Sequence, residues 1–153
     1  MPDKVVSVRL LIEDDLDDLL SVYAHLHADD APLPARDEIA RVWRAALTMP
    51  GSRYYGAFED TSLVAACAIT IIPNLTRGCR PYGVIENVVT HSDHRRRGHG
   101  RAVMNAALDF AWSQHCYKVM LLTGRKDETV WRFYESLGFA RHDKIAFVAR
   151  SET

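Results

Sequence analysis

Hydrophobic and polar positions change their spacing several times along the chain, and each change predicts a new element of secondary structure. Apolar residues that alternate with polar ones, or that form short continuous runs, indicate strands, whereas apolar residues three and four positions apart indicate amphipathic helices. Acidic residues open the first helical segment, where the helix dipole favours them, and Pro50 with Gly51 ends the second. Strands are predicted over residues 4–12, 53–60, 62–72, 82–90, 117–123 and 144–150, and helices over 13–27, 36–49, 100–115 and 127–137.

The order of these elements, β-α-α-β-β-β-α-β-α-β, indicates the fold class. The second and third strands form a hairpin that turns at Asp60 and Thr61, whereas the C-terminal half alternates strand and helix, which implies parallel pairing. An α/β fold follows, with a mixed central β-sheet flanked by helices on both faces. No internal repeat, low-complexity stretch or linker divides the sequence, so we predict a single domain over residues 1–153.

Composition narrows the class of protein. The chain has 153 residues, of which 48% are hydrophobic and 25% are charged, and its net charge is −1. These values are typical of a globular domain with its own core and exclude a largely disordered chain. Three cysteines without a CxxC pair argue against a secreted disulfide framework, and no stretch has the pattern of a signal peptide or a membrane span. We therefore expect a cytoplasmic protein with no membrane partner.

One loop differs from the others because it concentrates positive charge and glycine between a strand and a helix. It lies in the stretch VVTHSDHRRRGHGRAVMNAAL, residues 88–108. Gly98 and Gly100 allow conformations in which successive N–H groups point into one concavity, and the helix that starts near Gly100 adds its unpaired N–H groups and its positive dipole end. Arg95, Arg96, Arg97 and Arg101 add charge at the rim. This combination predicts a pyrophosphate site.

Other ligands fit the loop less well. A Walker loop would require the motif GxxxxGK[ST], which the chain lacks, and a dinucleotide fingerprint would require a small residue where Val103 lies. A nucleic-acid site would be expected in a more basic domain with aromatic residues near the arginines. A metal site would draw on ligands whose spacing matches no helical or CxxC-type pattern, namely His91, His94, His99 and Asp93. We therefore predict neither nucleic acid nor a metal, and a solvated turn that caps the helix is the remaining alternative.

Two motifs resemble those of the GCN5-related N-acetyltransferases, the GNAT family. Arg95-x-x-Gly98-x-Gly100 matches the family signature [QR]xxGx[GA], and DETVWRFYESLGF at 127–139 is similar to the family segment NxxAxxFYxKxGF. The resemblance covers essentially the whole chain. It implies the GNAT fold, in which the fourth strand and its parallel neighbour splay apart, and it implies acetyl-CoA as the cofactor, with coenzyme A as the product.

The same resemblance implies where coenzyme A would bind. Pantetheine would lie along the edge of the fourth strand at Val88, Val89 and Thr90, and the loop amides would hold the pyrophosphate. The loop residues implied in cofactor binding are Arg95, Arg96, Arg97, Gly98, His99, Gly100 and Arg101. Asp127 takes the position of the family's asparagine, and as an ionised carboxylate it would accept a hydrogen bond but not donate one.

Acetyl transfer needs one group that takes a proton from the amine and another that protonates the leaving thiolate. Strand alternation predicts that Glu86 lies on the same face as Val88 and Thr90, where it would act as general base; an ion pair with a loop arginine is the alternative. Tyr134 matches the family's tyrosine near the sulfur and would donate to the thiolate, and core packing is its alternative role. The main-chain N–H of Val88 or Val89 is the expected oxyanion donor.

The sequence thus predicts an acetyl-CoA-dependent N-acetyltransferase that moves an acetyl group to a primary amine of a small molecule or peptide by direct attack in a ternary complex. Three segments, GVIENVV, CYKVMLL and FYESLGF, are also similar to glucosamine-6-phosphate N-acetyltransferases. In that case Arg125 with Lys126, or Arg77 with Arg80, would meet a sugar phosphate. The alternative from another class is a non-catalytic regulatory module that binds acyl-CoA. We also expect a homodimer, because of the open sheet and the arginine-bearing last strand.

Overall fold

A mixed sheet forms the centre of the computed structural model, which describes residues 6–152. Its strands are β1 (Val6–Leu10), β2 (Ser52–Glu59), β3 (Ser62–Ile72), β4 (Tyr82–Thr90) and β5 (Val119–Leu121). The strands lie side by side in chain order. The pairs β1–β2, β2–β3 and β3–β4 are antiparallel, and the pair β4–β5 is parallel. The sheet is therefore mixed, as predicted.

Helices cover both faces of this sheet. They are α1 (Leu16–Tyr23), α2 (Arg36–Thr48), α3 (His99–Ser113) and α4 (Glu128–Ser136). α1 and α2 pack on one face, where Leu19 and Trp43 belong to one core cluster. α3 packs on the other face, where Met104 joins Ile85 of β4 in a second cluster, and Phe133 of α4 packs against it. No helix within residues 6–152 is long and apolar enough to cross a membrane.

Most of the predicted elements are present, some with shorter bounds. The hairpin between β2 and β3 turns at Asp60, and β3 and β4 have the predicted limits. The first helix ends at Tyr23 although its pattern continues to residue 27, and β5 is confined to Val119–Leu121 within the predicted 117–123. Residues 4 and 5 of the first predicted strand lie outside the described residues.

The predicted last strand is wrong. Residues 144–150 form no strand, and the side chains of Ile145, Phe147 and Val148 are 83%, 91% and 60% exposed. The alternation of apolar and polar residues gives this segment the composition of a strand, but a strand also needs a neighbouring edge with which to pair. The outer edge of β5 is unpaired among the described residues, but the segment does not pair with it, and its large apolar side chains face solvent.

β4 contains a bulge at Asn87 that simple alternation does not predict. Ala66 of β3 pairs with Val89, and Ala68 pairs with Glu86, so a step of two residues along β3 is matched by a step of three along β4. Asn87 is the extra residue, with a φ of +53°. Asparagine adopts this left-handed conformation more readily than most side chains, which makes it suitable for a bulge.

The bulge changes the face on which Glu86 lies. Residues that pair across two strands share a face of the sheet, so Glu86 lies on the same face as Val89, which packs in the cluster beneath α1 and α2. Val88 packs against the opposite cluster, beneath α3. The prediction that Glu86 shares a face with Val88 and Thr90 is therefore wrong, because one inserted residue inverts the alternation.

β4 and β5 separate near the middle of β4. Their pairing runs only from Gly83 opposite Val119 to Ile85 opposite Leu121. Beyond this point β4 continues to pair with β3, up to Thr90. The sheet therefore opens into a gap beside the second half of β4, which agrees with the splayed sheet that the family resemblance implies.

Candidate active site

A cleft with a volume of about 1080 Å³ opens beside the splayed part of β4. Its walls come from β4, the loop that leads to α3, the α4 region and residues 25–30 after α1. This volume is at the upper end of the range found for sites of small-molecule ligands and cofactors. The predicted site residues that line the cleft are Glu86, Val88, Val89, Thr90, Arg95, Arg96, Gly98, His99, Gly100, Arg101, Asp127 and Tyr134.

The glycine loop, which we define as residues 91–98, has the backbone of an anion site. Arg96 and Gly98 have φ values of +62° and +84°. Within the described chain, the main-chain N–H groups of residues 95–101 donate to no main-chain carbonyl. Left-handed positions turn neighbouring N–H groups into one concavity, and α3, which begins at His99, adds its positive dipole end. Unpaired donors and the helix field thus converge at the cleft.

The two glycines of the signature are required for different reasons. A Cβ added to Gly98 would meet no atom within 4 Å, so its left-handed φ is what demands glycine there. A Cβ added to Gly100 would lie 3.3 Å from the Thr90 Oγ1 and 3.4 Å from the Phe133 Cζ. Glycine at this position therefore lets the first turn of α3 approach both β4 and α4 closely.

The basic side chains of the loop have different environments. Arg95 and Arg96 are exposed and line the cleft, with the Arg95 Nε donating to the Thr90 carbonyl at 3.4 Å. Arg101 donates to the Ser136 Oγ of α4 at 2.5 Å. Arg97 does not line the cleft, because its guanidinium donates to the Glu59 carboxylate at 3.2 Å. The side chain of Arg97 is therefore not placed to contact a ligand there.

The hydrogen bonds between β4 and β3 determine which main-chain N–H groups of β4 face the gap beside β5. The N–H of His91 donates to the Val64 carbonyl of β3 at 2.8 Å. Because successive residues of a strand point their main-chain groups to opposite sides, the N–H of Val89 also faces β3, whereas those of Val88 and Thr90 face the open edge. Of the two predicted oxyanion donors, Val88 is therefore the one on the cleft side.

Glu86 is exposed and lines the cleft. Within residues 6–152 it forms no ion pair, so the alternative of a structural pair with a loop arginine is not what the structure contains. Its carboxylate is free to meet a ligand.

Tyr134 of α4 is half-buried between the core and the cleft. Its ring lies 5.2 Å from that of Phe133 and 6.2 Å from that of Phe139, measured between centroids, and it also lines the cleft. Burial raises the pKa of its phenol above the ordinary value, and the positive charge of Arg125 opposes this shift in part. A tyrosine of this kind stays protonated at neutral pH and can donate a hydrogen bond into the cleft.

Comparison with known proteins identifies the family. Residues 16–139 match the model of the acetyltransferase (GNAT) family. The chain belongs to the GNAT family.

The similarity to other acetyltransferases extends over nearly the whole chain. Glucosamine 6-phosphate N-acetyltransferase of Trypanosoma brucei brucei is 31% identical over 143 residues, which are 91% of this chain and 92% of that protein. A solved structure from Agrobacterium tumefaciens strain C58, assigned as an acetyltransferase, superposes with a TM-score of 0.89 at 43% identity and covers 95% of this chain and 99% of that one. A Trypanosoma brucei acetyltransferase structure superposes with a TM-score of 0.81 at 29% identity and covers 95% of this chain and 100% of that one. The GNAT fold and the acetyltransferase class are thus confirmed.

Asp127 stands where the GNAT motif has asparagine, and the structure gives it the role of a helix cap. Its carboxylate accepts a hydrogen bond from the N–H of Thr129 at 2.8 Å, at the first turn of α4. Asparagine and aspartate cap helices about equally well, so the cap survives this departure from the motif. The negative charge of this carboxylate also interacts favourably with the positive end of the α4 helix dipole.

The four residues considered as metal ligands from the sequence, His91, Asp93, His94 and His99, do not form one cluster in the structure. The ring of His91 lies against that of His25, with centroids 4.0 Å apart and the ring planes tilted by 42°. Among the described residues, the group whose ligand atoms all lie within 4.8 Å of one another is Glu59, His94 and His99. Sequence reasoning missed Glu59 because it precedes its partner His99 by 40 residues, at the end of β2.

Proposed function

We propose that this GNAT acetyltransferase takes its acetyl group from acetyl-CoA and transfers it directly to the primary amine of an amino-sugar phosphate of the glucosamine 6-phosphate type. The observation that supports acetyl-CoA as the donor is the glycine loop: its main-chain N–H groups are unpaired around the left-handed positions Arg96 and Gly98, and both of these residues line the cleft. The observation that carries the acceptor is the 31% identity to a glucosamine 6-phosphate N-acetyltransferase over 92% of that protein.

The residues present fit acetyl-CoA. The concave backbone at Gly98 is open, since a Cβ there would meet no atom within 4 Å, and it faces the cleft. Backbone amides at a helix N-terminus suit a pyrophosphate. The unpaired edge of β4 at Val88 and Thr90 offers donors and acceptors to an extended chain such as pantetheine. When bound, acetyl-CoA would supply the thioester as acyl donor.

The bulge at Asn87 supports a general-base role for Glu86. It places Glu86 on the α1 and α2 face of the sheet, and residues 25–30 after α1 also line the cleft. The acceptor would enter on this side, where an unpaired carboxylate can take a proton from an ammonium directly or through a water. The N–H of Val88 would stabilise negative charge on the carbonyl oxygen, and the Tyr134 hydroxyl would donate its proton to the departing sulfur.

The cysteines support direct transfer over a covalent relay. None of the three lines the cleft. Cys67 is completely buried, its thiol donates to the Val103 carbonyl at 3.4 Å, and burial raises the pKa of this thiol to about 12. Burial also raises the pKa of the Cys116 thiol. Such thiols are poor nucleophiles near neutral pH.

The charges of the cleft fit an amino sugar with a phosphate group. Arg125 lines the cleft and would pair with the phosphate, whereas Asp29 and Asp30 line the wall formed after α1 and would meet hydroxyl or ammonium groups. Arg77 and Arg80 lie elsewhere: Arg80 donates to two carbonyls at the end of α3, both at 3.2 Å, and Arg77 lies over a tyrosine ring at 5.8 Å. The pair Arg77 and Arg80 therefore carries no part of this proposal.

A panel of amines, followed by release of free thiol from acetyl-CoA, tests the proposal. The panel contains glucosamine 6-phosphate, glucosamine, polyamines, amino acids, aminoglycosides and short peptides. We expect the highest kcat/KM for glucosamine 6-phosphate. Arg125→Ala should raise the KM for glucosamine 6-phosphate roughly 10-fold or more and leave glucosamine unaffected, because only the phosphate contact is lost. Arg77→Ala, an arginine outside the cleft, is the matched control and should change neither.

Each other outcome contradicts a separate part of the proposal. A higher kcat/KM for a different amine class would overturn the acceptor and leave the donor standing. Binding of acetyl-CoA without thiol release by any amine would favour the non-catalytic regulatory module.

We also propose a homodimer in which the C-terminal segment is covered by a second copy. Ile145, Phe147 and Val148 are all exposed within one stretch of four residues, and clustered exposed apolar side chains are typical of an interaction surface. Light scattering at micromolar concentration should give about twice the chain mass of 17.3 kDa. Phe147→Asp should return the particle to the single-chain mass, and a wild-type protein already at that mass would rule the dimer out.

A further inference from the structure

A buried carboxylate outside the cleft contacts the glycine loop and the first residue of α3. Glu59, the last residue of β2, is 5% exposed, and its Oε1 lies 2.7 Å from the His99 Nε2, 3.1 Å from the His94 Nδ1 and 3.2 Å from the Arg97 Nη1. His99 is itself only 2% exposed. One oxygen atom therefore contacts three residues that are close together in sequence. A charged group buried to this degree is costly unless such partners surround it.

The three contacts enclose the part of the loop that has unusual backbone conformations. His94 precedes Arg96, whose φ is +62°, Arg97 lies between the two left-handed positions, and His99 follows Gly98 at +84°. A non-glycine residue such as Arg96 adopts a positive φ only at a cost, so the surrounding structure must hold it there. Glu59 provides contacts on both sides of each left-handed residue. These are the residues whose amides face the cleft.

Geometry argues against reading the same group as a metal site. The Arg97 Nη1 lies 3.5 Å from the His94 Nδ1 as well as 3.2 Å from Glu59, so a guanidinium already supplies positive charge between these ligands. The Nδ1 of His99 is buried and has no hydrogen-bond partner among the described residues. Histidines that bind metals nearly always donate from their second nitrogen. The group is organised around Arg97 and the loop.

We propose that Glu59 is a positioning residue for the acyl donor: by holding His94, Arg97 and His99, it preorganises the loop amides that receive the pyrophosphate. This inference rests on the proposed use of acetyl-CoA. Because Glu59 and Arg97 lie outside the cleft, the effect passes through the loop and does not involve direct contact with the ligand. It should therefore act on donors that carry a pyrophosphate and spare those that lack it.

Calorimetry with coenzyme A, combined with steady-state kinetics, tests this role. Glu59→Gln keeps the shape of the side chain and removes its charge. We expect it to weaken coenzyme A binding roughly 10- to 100-fold and to raise the KM for acetyl-CoA to a similar extent, with kcat nearly unchanged. With S-acetylpantetheine, which lacks the pyrophosphate, kcat/KM should stay at the wild-type value. Glu38→Gln, an exposed glutamate of α2, is the matched control and should behave as wild type.

A double-mutant cycle with Arg97→Gln separates positioning from direct contact. If Glu59 and Arg97 act through one another, Arg97→Gln alone should weaken coenzyme A binding, and the double variant should be little worse than either single one. Additive losses would mean that Glu59 and Arg97 act independently of one another and would overturn the inference.

Three further results would also overturn it. The first is unchanged coenzyme A binding by Glu59→Gln, and the second is an equal loss with S-acetylpantetheine. The third is loss of coenzyme A binding after chelation with recovery on adding Zn²⁺, which would make Glu59 a metal ligand. A wild-type protein that fails to bind coenzyme A would instead overturn the proposed function.

Discussion

Glu86 and Tyr134 reach one cleft from opposite faces of the sheet. Glu86 lies on the face covered by α1 and α2, and Tyr134 comes from α4 on the other face. Both line the cleft because the sheet is open between β4 and β5. The two residue types and their positions in the chain were predictable, but the separation of their faces was not. It depends on the bulge at Asn87, although an asparagine within a strand is itself a signal of irregularity.

Replacing the tyrosine tests the assignment of the acid. Tyr134→Phe should lower kcat roughly 10- to 10³-fold and leave the Kd of acetyl-CoA nearly unchanged, because only protonation of the leaving group is lost. Since burial raises the pKa of Tyr134, the kcat of the wild type should fall only at a pH above the ordinary phenol value of about 10. This alkaline limb should be missing from the residual activity of the variant. A fully active Tyr134→Phe would return the residue to a packing role.

A second substitution tests the base. In Glu86→Gln an ammonium acceptor must lose its proton to bulk water, so the rising limb of the pH–rate profile should move to higher pH. At a pH well above the pKa of the amine, the variant should approach the wild-type rate. Measuring kcat/KM from acid to alkaline pH, with Glu38→Gln as control, decides this. An unchanged profile in Glu86→Gln would mean that the carboxylate is not the base.

At the scale of elements, the apolar periodicity predicted the helices and strands that local sequence determines. It did not predict features that depend on contacts with residues far away in the chain. The bounds of β3 and β4 and the presence of all four helices follow from the apolar pattern. The last strand does not form: residues 144–150 do not pair with the sheet, although the outer edge of β5 is unpaired among the described residues. Alternation within a segment does not determine whether that segment docks on a distant edge. The contacts of Glu59 could not be predicted either, since its partner His99 lies 40 residues away.

The N-terminus of α4 provides a test at this scale. Asp127→Ala removes the acceptor for the Thr129 N–H and should lower the free energy of unfolding by about 1 kcal/mol, whereas Asp127→Asn should stay within a few tenths. Urea denaturation of the three proteins measures the difference. If Asp127→Asn loses as much as Asp127→Ala, the charge of the carboxylate and not the cap stabilises this helix end.

At the scale of the whole molecule, the open sheet explains how residues far apart in sequence form one site. Pairing between β4 and β5 ends at Ile85 and Leu121, and the gap beyond it is lined by β4, the glycine loop and α4 together. The two sequence motifs were enough to indicate the family, because each lies at a helix start beside this gap. The two motifs do not identify the acceptor, because part of the cleft wall comes from residues 25–30 after α1, where the sequence contains no recognised motif.

Binding of acetyl-CoA by the glycine loop is the central claim, and isothermal calorimetry tests it most directly. The wild type should bind acetyl-CoA, and its melting temperature should rise with ligand concentration. Gly98→Val forces a branched side chain to a φ of +84°, which should distort the amides and abolish both signals. Gly78→Val is the matched control, because Gly78 has a φ of +69° and equally open surroundings but lies outside the cleft, so binding should persist. A wild-type protein that shows neither heat of binding nor a thermal shift at saturating acetyl-CoA would contradict the account.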